Sequence, residues 1–144
     1  MNKEIIQSFE KGSRRGPENS TINQYLDNCL MGFHRLAING LNIPKDNQPL
    51  HMKNCVLICN GEIYNSKQLS DYFTPLDTDN DCEIIIHLYR EYGIEYTLHI
   101  LDGVFAFVLL DLTTREIFTA RDGFGVRPMY MATLRMASKI CWGF

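Results

Sequence analysis

The stretch "GVFAFVLLD", residues 103–111, constrains this chain more than any other. From Val104 to Leu110 it is apolar without interruption and shows no alternation of inward and outward positions, so a strand here is buried on both faces. The run is far shorter than a membrane span and carries no signal-peptide flanks. "LTTR" then turns the chain and "EIFTARD" returns it as a hairpin partner, which makes the sheet antiparallel. An antiparallel strand with two buried faces predicts a second sheet over one side and helices over the other. The expected class is therefore α+β, layered helix, sheet, sheet, helix. The 144 residues read as one domain, 1–144. A net charge of −3 with scattered basic residues argues against nucleic-acid or membrane-surface binding.

The rest of the chain supplies pieces that suit such layers. Residues 2–11 place Ile5, Ile6 and Phe9 on one helical face, and Gly12 is a natural stop. "SRRGPENS" reads as a loop, 29–38 as a strand weakened by Gly32, and 39–51 as a loop. "NCVLIC" is a short strand apolar on both faces, "SKQLSDYF" a short helix and "TPLDTDND" a loop. The clearest helix spans 81–93: Asn80 faces Glu83 as a capping box and Gly93 ends it. Its stripe is Ile85, Leu88, Tyr89 and Tyr92. A further short helix over 95–101 precedes the apolar strand, while "MYMATL" and "KICWGF" read as final strands around the loop "GFGVRP".

Five cysteines, Cys29, Cys55, Cys59, Cys82 and Cys141, form no CxxC pair and have no His at ligand spacing. Neither a disulfide framework nor a zinc site is indicated, and a reduced, cytoplasmic setting is the expectation.

Three polar clusters stand at the expected strand ends: Arg35, the Asn60-Gly61-Glu62 group, and Asp81 at the head of the strong helix. Together they could hold a free amino acid. Arg35 would fork onto the α-carboxylate, and Asp81 or Glu62 would take the α-ammonium. Asn60 and the Gly61 N–H would stabilise charge developing on a side-chain carbonyl. Each also has a plainer reading. Arg35 alone is a sheet-surface charge, Asp81 a helix N-terminus, and Asn-Gly an ordinary turn.

The segments "RRGPENS", "HRLAI", "QPL", "CNGEIYN", "DNDCEIIIHLYREYG", "LDGVFAFVLLD" and "ARDGFGVRPMY" occur in this order from Arg14 onward. In that order they resemble the glutamine-hydrolysing domain of asparagine synthetase, a type-2 glutamine amidotransferase of the N-terminal-nucleophile kind. The resemblance implies a four-layer αββα sandwich. It also implies glutamine as substrate, with Asn60 and Gly61 as the oxyanion hole and Arg35, Leu36, Glu62 and Asp81 gripping the ligand. No cofactor is implied for this domain; ATP and magnesium would serve a synthetase domain, the implied partner.

The chain also departs from that family. The family's nucleophile is a cysteine at the mature N-terminus, whose α-amino group is the general base, whereas this chain opens "MNKEIIQSF". The expectation is a domain incomplete at both ends, without its first strand, its nucleophile or a synthetase domain. Cys59 lies inside an apolar strand and reads as a buried structural thiol, and Cys82 has no paired base nearby in sequence. Arg14 stands where the family usually has His. The alternative is a catalytically dead glutamine-binding or regulatory module, or a non-functional fragment.

Overall fold

The computed structural model describes residues 3–36, 44–73, 76–134 and 139–144. Its centre is the long antiparallel pairing of β4 (Cys55–Ile63) with β5 (Gly103–Asp111). β3 (Leu50–Met52) and β6 (Glu116–Arg121) flank them, giving a sheet in the order β3-β4-β5-β6. Both faces of β5 are buried, as its lack of alternation implies. Phe105, Phe107 and Leu109 pack toward α2 (Ser66–Ser70) and α3 (Glu83–Ile100), against Ile84, Ile85, Ile86 and Leu88. Val108 and Leu110 point the other way, with Val56 and Ile58, onto Met31, Tyr25, Leu26 and Phe33.

That second cover is a two-stranded ribbon, β1 (Asn19–Leu26) with β2 (Cys29–Arg35). A third antiparallel pair, β7 (Tyr130–Leu134) with β8 (Lys139–Gly143), forms its own ribbon. Among the described residues the architecture is thus mixed α/β with three antiparallel sheets. α1 (Lys3–Glu10) lies against β2: Phe9 stacks on His34 with ring centroids 4.0 Å apart. This contact explains Gly32, which interrupts an otherwise good strand. A Cβ there would stand 2.7 Å from the Phe9 ring.

Several expectations need correction. β1 falls partly in the segment read as loop, because "NSTINQYL" is polar and half exposed. The strand of 29–38 is described as far as Arg35; residues 37 and 38 lie outside the described ones, as do 39–43 of the expected loop. "NCVLIC" does not end at Cys59. β4 runs on to Ile63, so Asn60 and Gly61 sit mid-strand opposite Ala106 and Phe105. Turn-forming residues continue as strand here because β5 offers an unbroken ladder. Gly61 is required by close approach, since a Cβ would meet the Val104 carbonyl oxygen at 2.1 Å.

The expected capping box does not form either. Glu83 turns away from Asn80 and accepts from the Asp77 and Thr78 N–H groups at 2.8 and 2.7 Å. Asn80 Oδ1 instead accepts from the Cys82 N–H at 3.0 Å. Gly93 breaks α3 with φ 81°, ψ 173°, so the two helices expected over 81–93 and 95–101 are present end to end. Tyr92 is exposed, and Ile84 and Ile86 are fully buried in its place. The rest of the expected stripe packs as read: Ile85 and Leu88 are buried and Tyr89 lies against the same cluster.

Candidate amino-acid binding site

Three segments far apart in sequence border one cavity of about 470 Å³. The end of β2 brings Arg35 and Leu36, the middle of β4 brings Asn60, Gly61 and Glu62, and the approach to α3 brings Asp81. All six candidate residues therefore meet at one place. The volume lies within the ordinary range for small-molecule sites.

Each group is held by its element. Arg35 is only 9% exposed, and its Nη1 donates to Asn47 Oδ1 at 2.8 Å. Leu36 follows it and is exposed. Asp81 Oδ2 accepts from the Ile63 N–H, which ties the α3 approach to β4 just past Glu62. Burial pushes the Asp81 carboxyl up and the nearby Glu62 charge adds to that, while the Ile63 N–H works against both. Two carboxylates side by side, one of them partly desolvated, favour a cation between them. A guanidinium on the same cavity favours an anion. The arrangement suits a zwitterion, with opposite charges recognised at separate ends.

Other lining residues escaped sequence reasoning. Gln48, from the "QPL" segment, clamps Cys59 from both sides: its Oε1 accepts from the Cys59 N–H and its Nε2 donates to the Cys59 carbonyl at 2.9 Å. It thereby fixes the residue next to Asn60. Arg127 also borders the cavity, and its Nε is buried without a hydrogen-bond partner. Its loop is organised by Asp122, whose carboxylate accepts from the N–H groups of Phe105, Phe124, Val126 and Arg127. Burial alone would push Asp122 up, but these four donors hold it below the usual carboxylate range. The acid following an arginine in "ARDGFGVRP" is a signal of such a loop, since one carboxylate oxygen pair can satisfy several turn amides. Asn65, the second Asn of "NGEIYN", has a structural task. It donates to the Ile100 carbonyl and accepts from the Asp102 N–H, joining α2 to the start of β5.

The thiols bordering the cavity are Cys59 and Cys82, each 2% exposed. Contact with Cys59, burial and the Asp81 charge all push the Cys82 thiol up. Neither has the environment of an activated nucleophile. Among the described residues, no group of three or more His, Cys, Asp and Glu could hold a metal ion, and no helix is long and apolar enough to cross a membrane.

The glutamine amidotransferase domain model matches residues 1–143, and the chain belongs to that family. It is 45% identical over 132 residues to "Asparagine synthetase [glutamine-hydrolyzing]" of Pongo abelii. It is 44% identical over 132 residues to the Homo sapiens protein of that name, and 45% over 130 residues to that of Gallus gallus. These matches cover 87%, 87% and 85% of this chain and 23% of each relative. The chain thus spans about a quarter of the length of the curated relatives it matches.

Proposed function

We propose that residues 1–144 act as one glutaminase domain of an asparagine-synthetase type, binding glutamine in the cavity between β2, β4 and the α3 approach. The observation that supports this reading is the convergence of Arg35, Leu36, Asn60, Gly61, Glu62 and Asp81 on that single cavity. Arg35 takes the α-carboxylate and Asp81, with Glu62, the α-ammonium. The side-chain amide then lies toward Asn60 and Gly61, which stabilise the oxyanion formed when a nucleophile adds to its carbonyl. Collapse of that adduct expels ammonia, and hydrolysis releases glutamate.

The thiol for this step comes from a further extended segment, the family's Cys-Gly-Ile type opening. β2 and β8 suit it, because each pairs with one neighbour among the described residues and both border the cavity. With that strand in place the layers close as a four-layer αββα sandwich: α3, the β3–β6 sheet, the β1–β2 sheet and α1. We assign the freed ammonia to a synthetase domain or chain that uses ATP and magnesium, and the setting to the cytoplasm; the glutaminase step itself is written without a cofactor.

Trp142 lines the cavity, so its fluorescence reports occupancy directly. L-Glutamine should shift it saturably, and Arg35→Ala should weaken the response about tenfold or more, the scale of a lost charge-assisted bond. A response equal in the wild type and Arg35→Ala would overturn the ligand orientation. Fusing the Cys-Gly-Ile opening ahead of Met1 should give glutaminase turnover, and Asn60→Ala should then cut kcat roughly a hundredfold. Binding without turnover in the fused protein would favour a regulatory glutamine-binding module.

A further inference from the structure

Backbone N–H groups along a strand turn alternately to its two edges, and β4 keeps one unbroken register with β5 from Cys55 to Ile63. The edge facing away from β5 therefore carries the N–H groups of Cys59, Gly61 and Ile63 in a row. Side chains take two of the three: Gln48 Oε1 accepts from Cys59, and Asp81 Oδ2 accepts from Ile63. Gly61 stands between them and borders the cavity. Its register partner, Phe105, is turned away from it as well. The Phe105 N–H donates to Asp122 Oδ2 at 3.2 Å, and the Phe105 carbonyl accepts from the Asp122 N–H at 2.8 Å.

Gln48 does at Cys59 what a strand would do. β3 pairs Leu50 with Leu57 and Met52 with Cys55, and the same register carried two residues further sets Gln48 opposite Cys59. β3 has ended there, and the side-chain amide makes both bonds of an antiparallel pair with Cys59, its Nε2 donating to the carbonyl at 2.9 Å. The next rung of a continued strand would set Asp46 opposite Gly61 and take its N–H. Asp46 instead lies in the short helical turn Pro44–Asp46, where its carboxylate accepts from the Asp79 N–H at 2.9 Å. A side chain stops where it bonds, whereas a strand would run on over Gly61.

We propose that Gln48 is a positioning residue for the glutaminase step, fixing β4 as far as Cys59 while leaving the Gly61 N–H open toward the reacting carbonyl. This rests on the cavity being the glutamine site. Gln48 acts through Cys59, whose carbonyl shares a peptide unit with the Asn60 N–H. The clamp thus sets the direction of the Asn60 side chain and of the Gly61 N–H just beyond it. Methionine at position 48 keeps the bulk and loses both bonds. Its β4 edge is then unfixed beyond Leu57, and a donor that is not held in place stabilises a developing charge less.

The test joins amide hydrogen exchange to turnover. In the full chain the Gly61 amide should exchange about tenfold or more faster than those of Cys59 and Ile63, and saturating L-glutamine should slow it. A Gly61 amide as protected as its two neighbours would mean a closed edge and would overturn the proposal without any variant. In the protein fused to the Cys-Gly-Ile opening, Gln48→Met should lower kcat about tenfold and leave KM within about twofold, because Arg35 and Asp81 still hold the ligand's ends. Gln48→Glu keeps the acceptor for the Cys59 N–H but loses the donor, and its kcat should fall between the two. Should Gln48→Met not fold, a Gln48→Glu enzyme with wild-type kcat would overturn the proposal. A raised KM at unchanged kcat would make Gln48 a wall of the binding site, and unchanged kinetics a purely structural clamp; either sinks it. An open Gly61 amide in a chain whose Trp142 fluorescence ignores glutamine would sink the glutamine reading and leave the strand-edge arrangement standing.

Discussion

The β4–β5 pair and the β7–β8 ribbon are both antiparallel and both rich in apolar side chains, yet they are covered very differently. Val56, Leu57, Phe107, Leu109 and Leu110 have no solvent exposure. Tyr130, Met131, Ile140 and Trp142 are all exposed, and Phe124 in the loop before β7 is almost wholly so, at 98%. Composition does not separate the two regions. The difference lies in what stands on either face: α2, α3 and the β1–β2 ribbon enclose the first pair, whereas at the ribbon's end Phe144, the residue after β8, packs against the second core. A strand's apolar content creates a demand for cover, and only its neighbours in space decide whether that demand is met.

The largest expected effect breaks the covered side. Phe107→Ala should cost about 4 kcal/mol by removing a fully enclosed ring from between β5 and the helices. Urea denaturation checks it, and a cost under about 1 kcal/mol would mean the helical cover is loose. Gly61→Ala comes next, at about 3 kcal/mol, because the added methyl must push β4 away from the β5 backbone. The melting temperature of the variant tests this. An unchanged value would show that the two central strands are farther apart than the register implies.

Glu83→Gln sharpens the comparison by pH. Burial pushes the Glu83 carboxyl up, but the Thr78 hydroxyl, the Asp77 and Thr78 N–H groups and His87 outweigh it and hold the group below its ordinary value. Its stabilisation is thus fully present above the usual Glu range near about 4.3, and is lost as pH falls through the lower folded value. The wild type should lose stability between about pH 5 and 3 more steeply than Glu83→Gln, which should cost about 2 kcal/mol at pH 7. Parallel acid limbs in the two proteins would remove Glu83 from the anchoring of the α3 approach. The smallest effect belongs to the ribbon: Ile140→Ser should change stability by less than about 0.5 kcal/mol in the urea midpoint. A cost of 2 kcal/mol would mean that β8 is covered in solution and that the contrast between the two regions is false.

Much of this was legible in the chain itself. The uninterrupted apolar run of β5 announced two buried faces, and the hairpin return through Glu116–Arg121 followed from the turn after it. β1 was not legible from apolar content, although the Asp27-Asn28 turn that sets Leu26 opposite Cys29 is a hairpin signal. The capping box failed because the sequence pattern names a donor and an acceptor but not their competitors. The loop at 77–78 offered Glu83 three hydrogen bonds, and Asn80 bonded locally instead.

The sequence by itself determined the elements governed by short-range physics: which segments are apolar on two faces, where Gly93 stops a helix, and which motifs mark an amidotransferase domain. Tertiary structure alone decided that Asn60 and Gly61 lie within a strand. A turn-prone pair extends when a neighbouring backbone supplies the hydrogen bonds that a turn would otherwise make internally. It alone also brought Arg35, Asn60 and Asp81 to one cavity. Local propensity carries no information about distances between residues tens of positions apart; those are fixed by which faces pack and in what register.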